Sequence, residues 1–108
     1  NGQVFGVPWT LDVLLGAASR FDILRANGLG MPDTFEQLER AVATIHMKED
    51  LPGYIVENNY SWPVMPFVHG FGGNVFRNPP DDLFPTLDTP EVIQGMDFAG
   101  KLLREYGP

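Results

Sequence analysis

Apolar and polar positions along the chain fall into short blocks separated by proline and glycine, and the two longest blocks carry a helical period. Phe35, Leu38, Val42 and Ile45 recur at spacings of three and four, which draws one apolar stripe along a helix. Thr34 stands just before it as the predicted N-cap, Gln37 completes a capping box, and Glu36 places a negative charge in the first turn. His46 lies beside the stripe near the C-terminal end, where a cation is favoured, and the helix is expected to stop by Leu51-Pro52-Gly53. A second long helix is predicted over Pro90 to Tyr106. Thr89 is its expected cap, Pro90 takes the first position, and Gly107-Pro108 ends it. Its expected buried stripe is Val92, Met96, Ala99, Leu103 and Tyr106.

The shorter blocks are less regular. Val4 to Val7 is a short strand ended by Pro8, which removes a backbone donor. Val13 to Ala18 has no decisive period; a buried strand is preferred because Gly16 weakens a helix interior by about 1 kcal/mol relative to Ala. Phe21 to Ala26 predicts a short helix closed by Asn27-Gly28. Tyr54-Ile55-Val56 is a β-prone run. Ser61-Trp62-Pro63 opens another helix over Val64 to His69, with Pro66 delaying its regular bonding and the glycines from Gly70 to Gly73 ending it. Residues 77–90 include Asn78-Pro79-Pro80-Asp81-Asp82 and Pro85, which leaves little room for regular structure. The pattern as a whole is that of one α/β (sub)domain over residues 1–108, helix-rich with a few short strands.

Composition narrows the function classes. The net charge of −7, from 14 acidic and 7 basic side chains, repels phosphate backbones, and no basic cluster offsets it. With no cysteine there is neither a disulfide framework nor a thiolate metal site. No run approaches the roughly 20 apolar residues that a membrane-spanning helix requires. The 12 glycines and 10 prolines are spread between apolar runs, which argues for many short connections and against disorder.

Candidate chemistry gathers around the two tryptophans. Trp9, Thr10 and Asp12 follow the break at Pro8: a flat ring, a hydroxyl and a carboxylate at a strand end. Such a group suits a polar ligand with apolar faces, such as a sugar; equally, Trp9 is a core ring and Asp12 a turn residue. Trp62 also sits at an element end between polar residues and proline. Gly70-Phe71-Gly72-Gly73 has the wrong spacing for a phosphate-cradling loop and closes a helix where phosphate sites open one. It is foremost a tight turn needing positive φ, although glycines also admit a ligand to the backbone and Phe71 offers a flanking ring. His46 and His69 have no carboxylate at a metal-ligand offset, Asp81-Asp82 is solvated loop charge, and no G-x-S-x-G is present. Asn59-Tyr60-Ser61 matches a glycosylation acceptor by pattern alone. These residues point to a binding function with no catalytic group, metal or cofactor.

The order of motifs adds a family. Gly2-Gln3-Val4-Phe5-Gly6-Val7-Pro8-Trp9 resembles the G-K-x-Y-G-V-P-W/Y stretch of the extracellular solute-binding proteins of ABC importers, the sugar-binding family. Leu24 to Leu29, Pro32 and Thr34-Phe35-Glu36-Gln37-Leu38 resemble that family's next run. Trp62, Pro66-Phe67, Gly72-Gly73-Asn74-Val75-Phe76 and Asp88-Thr89-Pro90-Glu91-Val92 follow in the same order at similar spacing. Leu15-Gly16-Ala17-Ala18-Ser19 departs from it, standing where the family has an aromatic-rich L-Y-Y-N.

The resemblance implies part of one lobe of a periplasmic-binding-protein type II fold, a segment of a larger two-lobe protein. It implies capture of a carbohydrate or related small solute between the lobes, a membrane permease as partner, and a periplasmic or extracellular location. The ligand contacts it implies are Trp9, Thr10, Asp12, Trp62, Phe71, Gly72 and Gly73. Surfaces facing an absent lobe are expected to be apolar and to favour a homo-oligomer. The alternatives are a helical protein–protein interaction module in which both tryptophans are core, and, behind it, a glycan-processing enzyme.

Overall fold

The structure, a computed structural model, describes Gly2, residues 18–56 and residues 62–108. The strand expected over Val4 to Val7, nearly all of the apolar run Val13 to Ala18, and the Asn59-Tyr60-Ser61 pattern lie outside the described residues.

Helix α1 runs from Phe21 to Ala26 and closes at Asn27 and Gly28, with Gly28 at a φ of +69°. Arg20 donates two bonds to the Asp22 carboxylate, at 2.9 and 2.6 Å, and this pairing holds that carboxyl down at about 2. Helix α2 spans Phe35–Glu49. The Thr34 hydroxyl accepts the Gln37 N–H at 3.2 Å, as a cap should. Gln37, however, reaches past the cap residue and accepts the Asp33 N–H at 2.7 Å, one residue farther back than a capping box. The helix ends where Asp50 turns left-handed at a φ of 51°.

Tyr54, Ile55 and Val56 form no strand, contrary to their β-prone composition. The backbone N–H groups of Gly53 and Tyr54 both donate to the Tyr106 carbonyl, at 2.8 and 3.1 Å. They satisfy the end of the last helix and do not build a sheet ladder. A 3₁₀ turn over Trp62–Val64 then leads into α3, Met65–Gly70, one residue later than the predicted start.

Residues 77–90, expected to hold little regular structure, contain most of a hairpin. Strands β1 (Phe76–Asn78) and β2 (Asp82–Pro85) pair antiparallel, Phe76 opposite Pro85 and Asn78 opposite Asp82, with an irregularity between. The prolines that argued against structure occupy the turn (Pro79 and Pro80) and the last position of β2, where no ladder donor is missed.

Helix α4 covers Pro90–Tyr106 as predicted, but neither its cap nor its buried face is the expected one. The Thr89 hydroxyl makes no capping bond; it donates to the Thr86 carbonyl at 3.1 Å. The buried residues are Val92, Gly95, Ala99 and Leu102, while Met96 is exposed and Leu103 only half-buried. The reason is α3. A Cβ at Gly95 would stand 2.6 Å from the Val68 Cα, so α4 turns its small residue toward α3 and its bulky Met96 away.

The core joins α2, α3 and α4 through Val42, Phe67, Ala99 and Leu102, with Phe35, Leu38, Tyr54, Val64, Phe98 and Tyr106 packed around them. Four phenylalanines form its aromatic centre. Phe35 stacks on Phe71 with centroids 4.9 Å apart, and Phe67 and Phe98 pack at 5.7 and 5.2 Å from Phe35. The chain is therefore helix-rich with one small two-stranded antiparallel sheet, of mixed α/β class. Among the described residues no helix is long and apolar enough to cross a membrane.

Candidate functional site

Gly72 and Gly73 line an open cleft of about 190 Å³ between the α3–β1 connection and the start of α4. Asn74, Phe76, Arg77, Thr86, Thr89 and Glu91 complete its wall. The two glycines are needed for different reasons. Gly72 sits at a φ of +87° with open space where a Cβ would be. Gly73 is buried, and a Cβ there would stand 2.9 Å from the Val92 N and 3.1 Å from the Val68 carbonyl oxygen.

Hydrogen bonds hold the turn in shape. The Gly73 N–H donates to Val68, and His69 Nδ1, 3.0 Å from the Gly73 carbonyl oxygen, carries the proton that this oxygen accepts. The Thr86 hydroxyl donates to the Asn74 carbonyl at 2.6 Å, and the Thr86 N–H donates to Val75 at 2.9 Å. Arg77 is anchored within the hairpin, its Nη1 3.2 Å from the Asp82 Oδ2 and its guanidinium 4.5 Å from the Phe84 ring centroid. Both threonine hydroxyls thus spend their protons on backbone and keep lone pairs to offer, beside one guanidinium and one carboxylate, Glu91. The wall therefore offers hydrogen-bond acceptors and one set of guanidinium donors. The volume lies below the roughly 300–1,000 Å³ of an enclosing pocket, so the cleft does not enclose a small molecule by itself.

The sequence-predicted residues divide among several places. Trp9, Thr10 and Asp12 lie outside the described residues. Trp62 opens the 3₁₀ turn before α3. Phe71 lies at the end of α3, immediately before the cleft glycines, with one ring face against Phe35. Only Gly72 and Gly73 meet in the cleft. Phe76, Arg77, Thr86, Thr89 and Glu91, which also line the cleft, are not among the ligand contacts expected from the sequence. The signal for the first three was the block of apolar and charged residues flanking Asn78 to Asp82, read as irregular when it folds as a hairpin. A larger open groove of about 460 Å³, between the α1–α2 connection and α2, contains none of the predicted residues. Among the described residues no group of three His, Asp or Glu side chains converges as metal ligands would.

No family model matches the chain, and comparison with curated proteins and with solved structures finds none similar to it.

Proposed function

We propose that this chain forms part of one lobe of an extracellular solute-binding protein for ABC-type import, of the periplasmic-binding-protein type II fold. In this role it helps to hold a carbohydrate or related small polar solute between two lobes. The single observation that carries the proposal is the half-open cleft at Gly72-Gly73, walled by threonine oxygens, Arg77 and Glu91 and lying where the family-like motifs fall in sequence. One wall of hydrogen-bonding groups suits a ligand that a second lobe covers, with closure linking occupancy to docking on a permease in the periplasm or outside the cell. The role is binding without chemistry, and it requires no cofactor.

Tryptophan fluorescence during titration with mono- and oligosaccharides tests this, on the chain and on a protein carrying both lobes. The expected result is a saturable change in the two-lobed protein, lost on replacing Trp9 or Trp62, and weak or absent in the single chain. Silence of the two-lobed protein across the panel would sink the proposal.

A second reading, a protein–protein interaction module, is favoured by the exposed side chains Met47 and Ile55, 75% and 71% accessible, at and beyond the end of α2. Alanine at Asp12 and at Trp62 separates the two. A ligand site loses binding with stability nearly intact, whereas a core ring loses about 3–5 kcal/mol of stability.

A further inference from the structure

Asn27-Gly28, the stop at the end of α1, is also a pair in which an asparagine side chain lies open to attack by its own backbone. Glycine has no Cβ, so the Gly28 nitrogen carries no steric screen on its way to the Asn27 Cγ. Gly28 stands at a φ of +69° with open space where a Cβ would be. The fold holds both reacting groups back. The Gly28 N–H donates to the Arg25 carbonyl at 3.0 Å and the Leu29 N–H to the Leu24 carbonyl at 2.9 Å, the paired bonds of a Schellman motif. The Asn27 Nδ2 donates to the Ile23 carbonyl at 3.1 Å and to the Glu49 Oε1 at 2.7 Å. Donating both amide protons, one of them to a carboxylate, pushes electron density toward Cγ and makes it a poorer electrophile. Of these bonds only that to Glu49 crosses to α2, and it is exposed.

We propose that Asn27 is a site of spontaneous deamidation, that Glu49 guards it, and that its conversion unlatches α1 from α2. The Gly28 nitrogen gives up its proton and bonds to the Asn27 Cγ, while the Cγ–Nδ2 bond breaks and Nδ2 leaves as ammonia with that proton. One water then opens the succinimide ring, its hydroxyl adding to a ring carbonyl and its proton returning to the Gly28 nitrogen. Opening at Cγ gives aspartate. Opening at the Asn27 backbone carbonyl gives isoaspartate, in which the main chain runs through Cβ and Cγ. In aspartate a carboxylate oxygen stands where Nδ2 met Glu49, and an attraction becomes a like-charge repulsion. Glu49 ends α2, where the helix dipole already disfavours a negative charge. In isoaspartate the main chain gains an atom before Gly28, and the Gly28 and Leu29 N–H groups can no longer both reach their carbonyls. The reaction is independent of any ligand at the Gly72-Gly73 cleft.

Peptide mapping by mass spectrometry during warm incubation at neutral pH tests this. It follows the mass gain of an amide turned acid at Asn27, apart from the other Asn-Gly pair, Asn1-Gly2. Asn27 is expected to convert in the folded chain, and faster in urea, where its hydrogen bonds are lost. Glu49→Ala is expected to speed conversion in the folded chain at least about threefold, the worth of one exposed hydrogen bond to a charge. Lys101→Ala, which breaks the Lys101–Glu39 pair and leaves Glu49 in place, is expected to keep the rate within about twofold. Gly28→Ala strains the turn yet is expected to slow conversion, since a Cβ then screens the nucleophile. That opposite sign separates ring closure from simple loosening of the helix end. Asn27→Asp, which reproduces one product, is expected to lower the urea midpoint, and Asn27→Asp/Glu49→Gln to recover part of the loss. No acid at Asn27 in the folded chain, a Glu49→Ala rate no higher than that of Lys101→Ala, a faster Gly28→Ala, or a double variant no more stable than Asn27→Asp would each overturn the proposal.

Discussion

Gly72 and Gly73 are neighbours of one residue type, yet different physical demands exclude a side chain at each. At Gly72 the demand is conformational, because its φ of +87° is unfavourable for an L residue although the space is open. At Gly73 it is steric, because the Val92 backbone and the Val68 carbonyl stand where a methyl group would go. Gly72→Ala is therefore expected to cost about 1–2 kcal/mol. Gly73→Ala should cost about 2–3 kcal/mol, since two backbone segments must separate to admit the methyl group. Urea unfolding of both variants checks the ranking, and equal losses would show that packing does not govern Gly73. Composition made the turn legible but could not distinguish the two glycines. The same holds for Phe71, whose half-buried place depends on Phe35, a ring from a helix far upstream.

Among the elements, both long helices were legible because their periods and ends agree: Thr34 before α2, Pro90 at the start of α4, and Gly107 after it. The face that α4 buries was not. Hydrophobicity selects Met96 and Leu103, whereas close approach to α3 selects Gly95 and Leu102, and only the neighbouring helix decides between them. Gly95→Ala sets these effects against each other. Alanine gains about 1 kcal/mol of helix propensity over glycine. The new methyl group, however, meets the Val68 Cα and N at 2.6 and 2.7 Å, and backbone cannot rotate aside. Overpacking of this kind costs about 1–3 kcal/mol or more, so a net loss of roughly 1 kcal/mol is expected by chemical denaturation. A stabilised variant would mean that α3 and α4 are less closely apposed. The hairpin of β1 and β2 was not legible for a related reason: proline forbids a central strand but not a turn or a strand end.

In the molecule as a whole, α2 and α4 are joined by three kinds of contact: the core around Val42 and Leu102, the Lys101–Glu39 ion pair, and the capping of Tyr106 by Gly53 and Tyr54. The Lys101 ammonium of the ion pair and the Tyr54 and Tyr106 phenols packed around the core all titrate in alkali. Burial raises Tyr54 above its ordinary 10.0, and burial likewise raises Tyr106. The hydrogen bond to Glu39 raises Lys101 above its ordinary 10.5. Each group holds its proton more firmly folded than unfolded, so the stability linked to it is complete below the unfolded value and is lost as pH rises through the folded one. Thermal melting between about pH 8 and 11 is expected to show a plateau followed by a fall beginning near 10. A tyrosine absorbance titration should place these two side chains later than free tyrosine. A melting temperature that rises through that range would contradict the assignment.

The sequence by itself determined where α1, α2 and α4 begin and end, because caps, prolines, glycines and helical period act over a few residues and need no partner. It also determined that the long helices are amphipathic and that the chain is acidic and free of thiol chemistry. Only the tertiary structure decided which arc of α4 is buried, where the donors after α2 are spent, which glycines are steric, and that Gly72 and Gly73 share a cleft with Thr86, Thr89 and Glu91. Those outcomes depend on groups from distant parts of the chain meeting at contact distance. A pattern confined to one segment does not encode which distant surface will be pressed against it.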